Sequence, residues 1–237
     1  NKAIRIIGNG PETTTIRGNG TVPLFDVSTG SSTGAFPFRL SGLKLSAPQG
    51  RLFQISGAGS GWRIDHNVFQ GTDYADITSV ATLSNVGTWT LFGLIDQNVF
   101  NYCQIGFAGG GTAAHHSWTS APQWGTANAI FLENNTFLMA DVAGVFHNSV
   151  DSNNGARAVI RYNTFNDAYI MAHSACQKSV RATRSYEIYN NRFNRSVSNT
   201  FTSYLSLRGG SHVITGNVVS GPWAQWLPER EIGRAHV

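Results

Sequence analysis

The chain is 237 residues long, with 17 Lys and Arg against 13 Asp and Glu, a formal net charge of +4 and only 13% charged residues. Neither that balance nor any basic run supports a nucleic-acid partner, and no apolar stretch of about 18 residues exists to span a membrane as a helix. Low charge with 26 Gly and abundant Asn, Ser and Thr suits an extracellular or cell-surface protein with a neutral polar surface.

In chain order, residues 4–46 read as opening strands: Ile4–Ile7, Thr13–Ile16, Leu24–Val27 and Phe36–Leu45, with a loop at 28–34. Leu52–Ile55 follows, and then a unit Ile-x-x-Asn-x-Phe begins to recur. It stands at Ile64–Phe69, Ile95–Phe100, Leu132–Phe137, Ile160–Phe165 and Ile188–Phe193, and in weaker form at Ile214–Val219. The Asn residues are Asn67, Asn98, Asn135, Asn163, Asn191 and Asn217, spaced by 31, 37, 28, 28 and 26. Two degraded copies precede them: Leu40–Leu45, with Leu43 in the Asn slot, and Ile16–Thr21, with Asn19 in it.

A period of about 20–50 residues signals a solenoid, a propeller or an array. The unit lacks a helical i, i+3, i+4 pattern and is rich in Ile, Val, Phe and Tyr between Gly, Asn and Ser, so it reads as short strands joined by tight corners. The apolar slots on either side of the Asn then point into a narrow core. Asn tolerates the left-handed conformation of a corner, and stacked amides bond one another at roughly 4.8 Å strand spacing. This is the logic of a parallel β-helix. A propeller blade needs about 40–50 residues, longer than these spacings.

The run from Asp151 to Phe165, with Ala172-His173-Ser174 and Arg184–Asn191, resembles the right-handed parallel β-helix repeat proteins of the pectate-lyase-like superfamily. It is most similar to a bacterial group of largely unassigned activity, many of which carry Gly where this chain has Ser174. The segment Trp62-Arg63-Ile64-Asp65-His66 also resembles a short pectate-lyase segment, with an inserted Arg. The resemblance covers about residues 4–221. The expected fold is all-β: a single-stranded right-handed parallel β-helix, a solenoid of about eight coils with an Asn ladder.

One domain is expected over 1–230, a fragment whose native C-terminus is missing. Residues 231–237 read as a translated sequencing adapter on an assembled environmental sequence, and are set aside as a non-native tail. Cys103 and Cys176 fall two coils apart, beyond the roughly 7 Å reach of a disulfide, and read as two free or buried thiols.

Long insertions mark the candidate site, because loops of this length in a compact repeat are often functional. The longest, 109–125, holds His115, His116, Trp118 and Trp124, in which indole faces offer stacking platforms for sugars or else anchor the loop. The second, 174–183, holds Lys178 and Arg181 and is followed by Arg184. Between them, aligning Tyr169–His173 with Tyr204–Arg208 sets His173 beside Arg208, and the Val150-Asp151 strand end sets Asp151 on the other side. Acid, imidazole and guanidinium together suit proton transfer or neutralisation of a carboxylated sugar; a structural ion-pair ladder is the plainer account. Arg157 and Arg184 flank this set, and Arg161 is placed to pair with Glu187 across strands. In some lyases of this fold Arg serves as base or carboxylate clamp, which the resemblance extends to Arg157, Arg181 and Arg184.

The expected function is that of a secreted or surface polysaccharide-active protein, with β-elimination of a uronate-containing glycan as the favoured chemistry. The alternative is a non-catalytic adhesin, phage-tail-like or extracellular structural solenoid. No metal site is expected, since no HExxH or CxxC pattern occurs; calcium belongs to relatives of this fold, but no group of acidic ligands supports it here. The expected partner is a polysaccharide.

Overall fold

The computed structural model describes residues 3–18, 22–30, 34–47, 51–71, 78–84, 91–108, 121–139, 148–153, 155–172, 182–196 and 203–223. Among them are 23 strands and no α-helix, and no helix long and apolar enough to cross a membrane. The chain visits three all-parallel sheets in rotation. Sheet A takes, in order, Ile4–Ile7, Phe38–Ser41, Trp62–Asp65, Gly93–Asp96, Ile130–Glu133, Arg157–Arg161, Ser185–Tyr189 and Ser211–Thr215. Sheet B takes eight three-residue strands from Thr15–Arg17 to Val218–Ser220, and sheet C seven from Phe25–Ser28 to Leu205–Leu207. Each strand bonds to the strand of the same sheet one pass later, an arrangement compatible with a parallel β-helix.

The repeat explains the stacking. Ile64, Ile95, Leu132, Ile160 and Ile188 are each at most 1% exposed and lie in register across sheet A. On sheet B, Phe69, Phe100, Phe137, Phe165 and Phe193 form a continuous column, with neighbouring ring centroids 4.7–4.8 Å apart and planes within 10° of parallel. That spacing is the strand spacing itself, so in-register parallel pairing places one ring on the next. Leu45 and Val219 extend the column at its two ends.

At the corner between sheets A and B, the six Asn side chains bond in series. Asn67, Asn98, Asn135, Asn163 and Asn191 each donate from Nδ2 to the Oδ1 of the next Asn, at 3.0–3.1 Å. The same Oδ1 accepts the preceding Asn backbone N–H. Beyond Asn67, where Leu43 stands in the slot, Asn67 Oδ1 accepts the Leu43 backbone N–H instead.

Two details of this corner differ from the sequence expectation. The left-handed residue is the one before each Asn: His66, Gln97, Asn134, Tyr162 and Asn190 have φ of 53–58°, and Gly42 and Gly216 take the place in other passes. The Asn must turn its amide inward between passes, so the reversal falls on an exposed neighbour whose side chain is free to leave the core. The first copy is also displaced. Ile6 pairs with Leu40, and Ile16 pairs with Leu45. Ile16 therefore fills the Phe slot, and residues 8–14 form an enlarged first corner that the fixed spacing concealed.

Inward packing on sheet A relies on one size complementarity. Trp62 is 1% exposed and in register with Gly93. A Cβ at Gly93 would meet Trp62 ring carbons at 2.2–2.5 Å, so the missing side chain is the space the indole fills. Cys103 is a buried free thiol whose ionisation is suppressed by burial; Cys176 lies outside the described residues. Of the exit segment, Trp223 packs edge-on against Tyr204 and beneath the Arg195 guanidinium.

Candidate binding groove on sheet A

Alternation along a strand turns the residues two and four places before each Asn toward the outer face of sheet A. In the inner of these two rows the chain places Ser41, Asp65, Asp96, Glu133, Arg161, Tyr189 and Thr215; in the other, Arg39, Arg63, Leu94, Phe131, Val159, Glu187 and Val213.

The first part of this face is ionic. Arg39 forks onto Asp65 at 2.8 and 2.6 Å, and Arg63 forks onto Asp96 at 2.9 and 2.7 Å, each reaching one strand forward. Asp65 also accepts from Ser41 Oγ at 3.2 Å and lies 2.7 Å from His66 Nδ1. Burial pushes the Asp65 carboxyl up, but the bonds from Arg39 and His66, with the charges of Arg63 and Arg39, outweigh it and hold the group below its usual value. A depressed folded pKa adds stability that is present above the unfolded value of about 4 and is lost as pH falls through the folded value. The stability difference between wild type and Asp65→Asn should therefore be constant near neutrality and shrink in denaturant melts below about pH 4. A difference that grows on acidification would contradict this.

Further along, the pairing reverses. Arg161 reaches back one strand to Glu133, with Nε to Oε1 at 2.6 Å and a second contact from the other guanidinium nitrogen, and its remaining arm donates to Tyr189 Oη at 2.8 Å. Its guanidinium carbon lies 5.2 Å from the Phe131 ring centre, 5.8 Å from Tyr162 and 5.7 Å from Tyr189. Burial opposes the Arg161 charge, but the bonds with Tyr189 and Glu133 prevail and keep it above its usual pKa. The expected Arg161–Glu187 pair does not form: Glu187 lies opposite Val159 and accepts the Gly125 backbone N–H at 3.0 Å.

Between the forward-reaching Arg63 and the back-reaching Arg161, the outer row holds the apolar Leu94 and Phe131. A groove of about 690 Å³ opens there, with Phe92, Gly93 and Leu94 on its floor beside Phe131, Arg63, Glu133 and Arg161 at its sides, and Ser60, Gly61 and Ala127–Ala129 along its edges. The wall comes from the end of the long insertion. Residues 123–126 form a turn closed by Thr126 bonding to the Gln123 carbonyl and pinned to sheet A through Glu187. Trp124 stands at its tip, 46% exposed. The groove lies within the range of about 300–1,000 Å³ usual for small-ligand sites.

Of the residues singled out from sequence, Arg161 lines the groove and Trp124 stands on the turn 123–126, whereas Asp151, Arg157, Arg184 and Arg208 are not in its lining. Asp151 is on the outer face of sheet C, half-buried, and Arg208 follows the last described strand there, with a guanidinium nitrogen 3.2 Å from Met171 Sδ. The alignment of Tyr169–Ala172 with Tyr204–Leu207 is the one observed. Asp151 is not at a strand end, however: its strand runs to Asn153, and Val150 pairs with Ile170 after a register shift. Asp151 therefore follows the Val150–Ile170 pair inside its strand, and its expected neighbour His173 lies outside the described residues. Burial chiefly, then the Asp151 charge, push the Tyr169 phenol up, while Arg208 pulls it down. Both charges thus act on one hydroxyl. Arg157 is 3% exposed and lies near Arg184; burial first, then that neighbouring charge, lower its pKa. His173, Arg181, Lys178, His115, His116 and Trp118 lie outside the described residues.

The groove residues Arg63, Leu94, Phe131 and Glu133 escaped the sequence reading. The signal was available: they occupy the outward slots of the repeat, and a listing of those slots alone shows charge giving way to Leu and Phe. Among the described residues no three His, Cys, Asp or Glu side chains are grouped to hold a metal. No protein-family model, curated protein or solved structure matches this chain.

Proposed function

We propose that this chain is a right-handed parallel β-helix of about eight coils carrying an internal Asn ladder, and that its groove on sheet A binds a polysaccharide at the cell surface or outside the cell. The observation that carries the reading is the apolar gap, Leu94 and Phe131, held between two fixed ion pairs. Sugar rings present C–H faces to aromatic rings and hydroxyls to flanking carboxylates and amides, and this floor and these sides offer both. Binding is favoured over turnover in the groove because both of its carboxylates, Asp96 on Arg63 and Glu133 on Arg161, are already committed to guanidinium partners.

Affinity electrophoresis in gels containing soluble polysaccharides tests this. Wild type should be retarded by at least one of them, and Phe131→Ala should weaken that retardation by about 10-fold or more, a loss of roughly 1.4 kcal/mol. Retardation indifferent to Phe131→Ala would sink the groove assignment. A second reading, a lyase on a uronate glycan, rests on the acid Asp151 and the guanidinium of Arg208, which stand on the same sheet two passes apart. It requires ultraviolet-absorbing unsaturated product from a polyuronate, lost in Arg208→Ala; absence of product dismisses it.

A further inference from the structure

Resting on the groove reading, we infer that the ligand of this groove is a neutral polysaccharide, and that carboxylated glycans are excluded from it. The cations that line the groove are Arg63 and Arg161. Each is already matched by a carboxylate. Arg63 gives Nε and one terminal nitrogen to the two oxygens of Asp96. Arg161 commits Nε and one terminal nitrogen to Glu133 and the other terminal nitrogen to Tyr189. Its guanidinium carbon also lies 5.2–5.8 Å from the ring centres of Phe131, Tyr162 and Tyr189. At Arg161 a sugar carboxylate would find no open guanidinium fork, the arrangement that recognises carboxylates. At Arg63 one terminal nitrogen stays uncommitted, but the guanidinium already faces Asp96 and lies 3.6 Å from Asp65, so an incoming carboxylate would add a third negative charge there. To gain the fork of Arg161 it would have to displace Glu133, leaving a carboxylate only 17% exposed without its cation.

The remaining polar groups suit hydroxyls. The bonds of Glu133 to Arg161 run through Oε1, so Oε2 remains an acceptor for a sugar hydroxyl. Asn128 donates through Nδ2 to Gln123, which leaves its Oδ1 as a second acceptor, and Ser60 adds a hydroxyl to the same lining. Two acceptors and an apolar floor repel an added negative charge and welcome a donor hydroxyl over a C–H face.

The test pairs neutral polysaccharides (a β-glucan, a mannan and a galactan) with the same polymers after oxidation of their primary hydroxyls to carboxylates. Binding is measured by titration calorimetry at low and high salt, with wild type and Phe131→Ala. The expected result is binding to at least one neutral polymer, little changed by salt, at least about 10-fold weaker for its oxidised form and for Phe131→Ala. Tighter binding to an oxidised form, with affinity falling as salt rises and still lost in Phe131→Ala, overturns the inference and leaves the groove reading standing. Binding to none of the polymers, or binding unchanged by Phe131→Ala, overturns both.

Discussion

Phe165→Ala should lower the unfolding free energy by roughly 3–5 kcal/mol, the cost of a large aromatic removed from a closed core. Phe165 is fully buried, with Phe137 stacked on one side at 4.7 Å and Phe193 on the other at 4.8 Å. The neighbouring rings are held by their own strand pairings and cannot collapse into the void, so the cavity term adds to the lost transfer energy. The position has a further consequence. In a solenoid each repeat contacts only its neighbours, so a cavity in the middle weakens two interfaces at once. The denaturant transition should broaden or split as the halves lose coupling, whereas Phe165→Leu, which retains most of the volume, should keep a single transition. A shift below about 0.5 kcal/mol, typical of a surface change, would contradict the stacked column.

Asn163→Ala is expected to be comparably severe, through polar groups rather than volume. Asn163 Oδ1 accepts both the backbone N–H and the side-chain Nδ2 of Asn135. Its Nδ2 donates to the carbonyls of Leu132 and Arg161 and to Asn191 Oδ1. The site is 1% exposed, so water cannot replace these partners. The orphaned Asn135 N–H alone costs about 1–3 kcal/mol, with roughly 1 kcal/mol for each further bond lost. Amide exchange reports it directly: the Asn135 N–H, protected in wild type, should exchange faster in Asn163→Ala than amides of strands several passes away. Equal protection of Asn135 in both proteins would show that the series of Asn bonds is not a source of stability.

The inward-facing half of this protein is legible in its sequence because each pass fills the same slots with the same residue types. Ile, Asn and Phe recur, since parallel in-register pairing sets like on like and any departure opens a void or orphans an amide. Even there, sequence placed the left-handed residue one position late, on the Asn itself. It also assigned Ile16 to the wrong slot, because an enlarged corner changes the count without changing the residue types. The outward-facing half follows no such rule. Whether Arg161 reaches back to Glu133 or forward to Glu187 depends on which carboxylate lies beside its guanidinium and which is drawn off by the Gly125 backbone. Where Asp151 lies against its neighbours depends on a register shift that no local pattern announces. The groove itself joins residues from four successive passes, and it exists because Arg63 turns one way and Arg161 the other. Side-chain direction on an open sheet face is settled by neighbours about thirty residues away in the chain, which only the folded stack brings within reach.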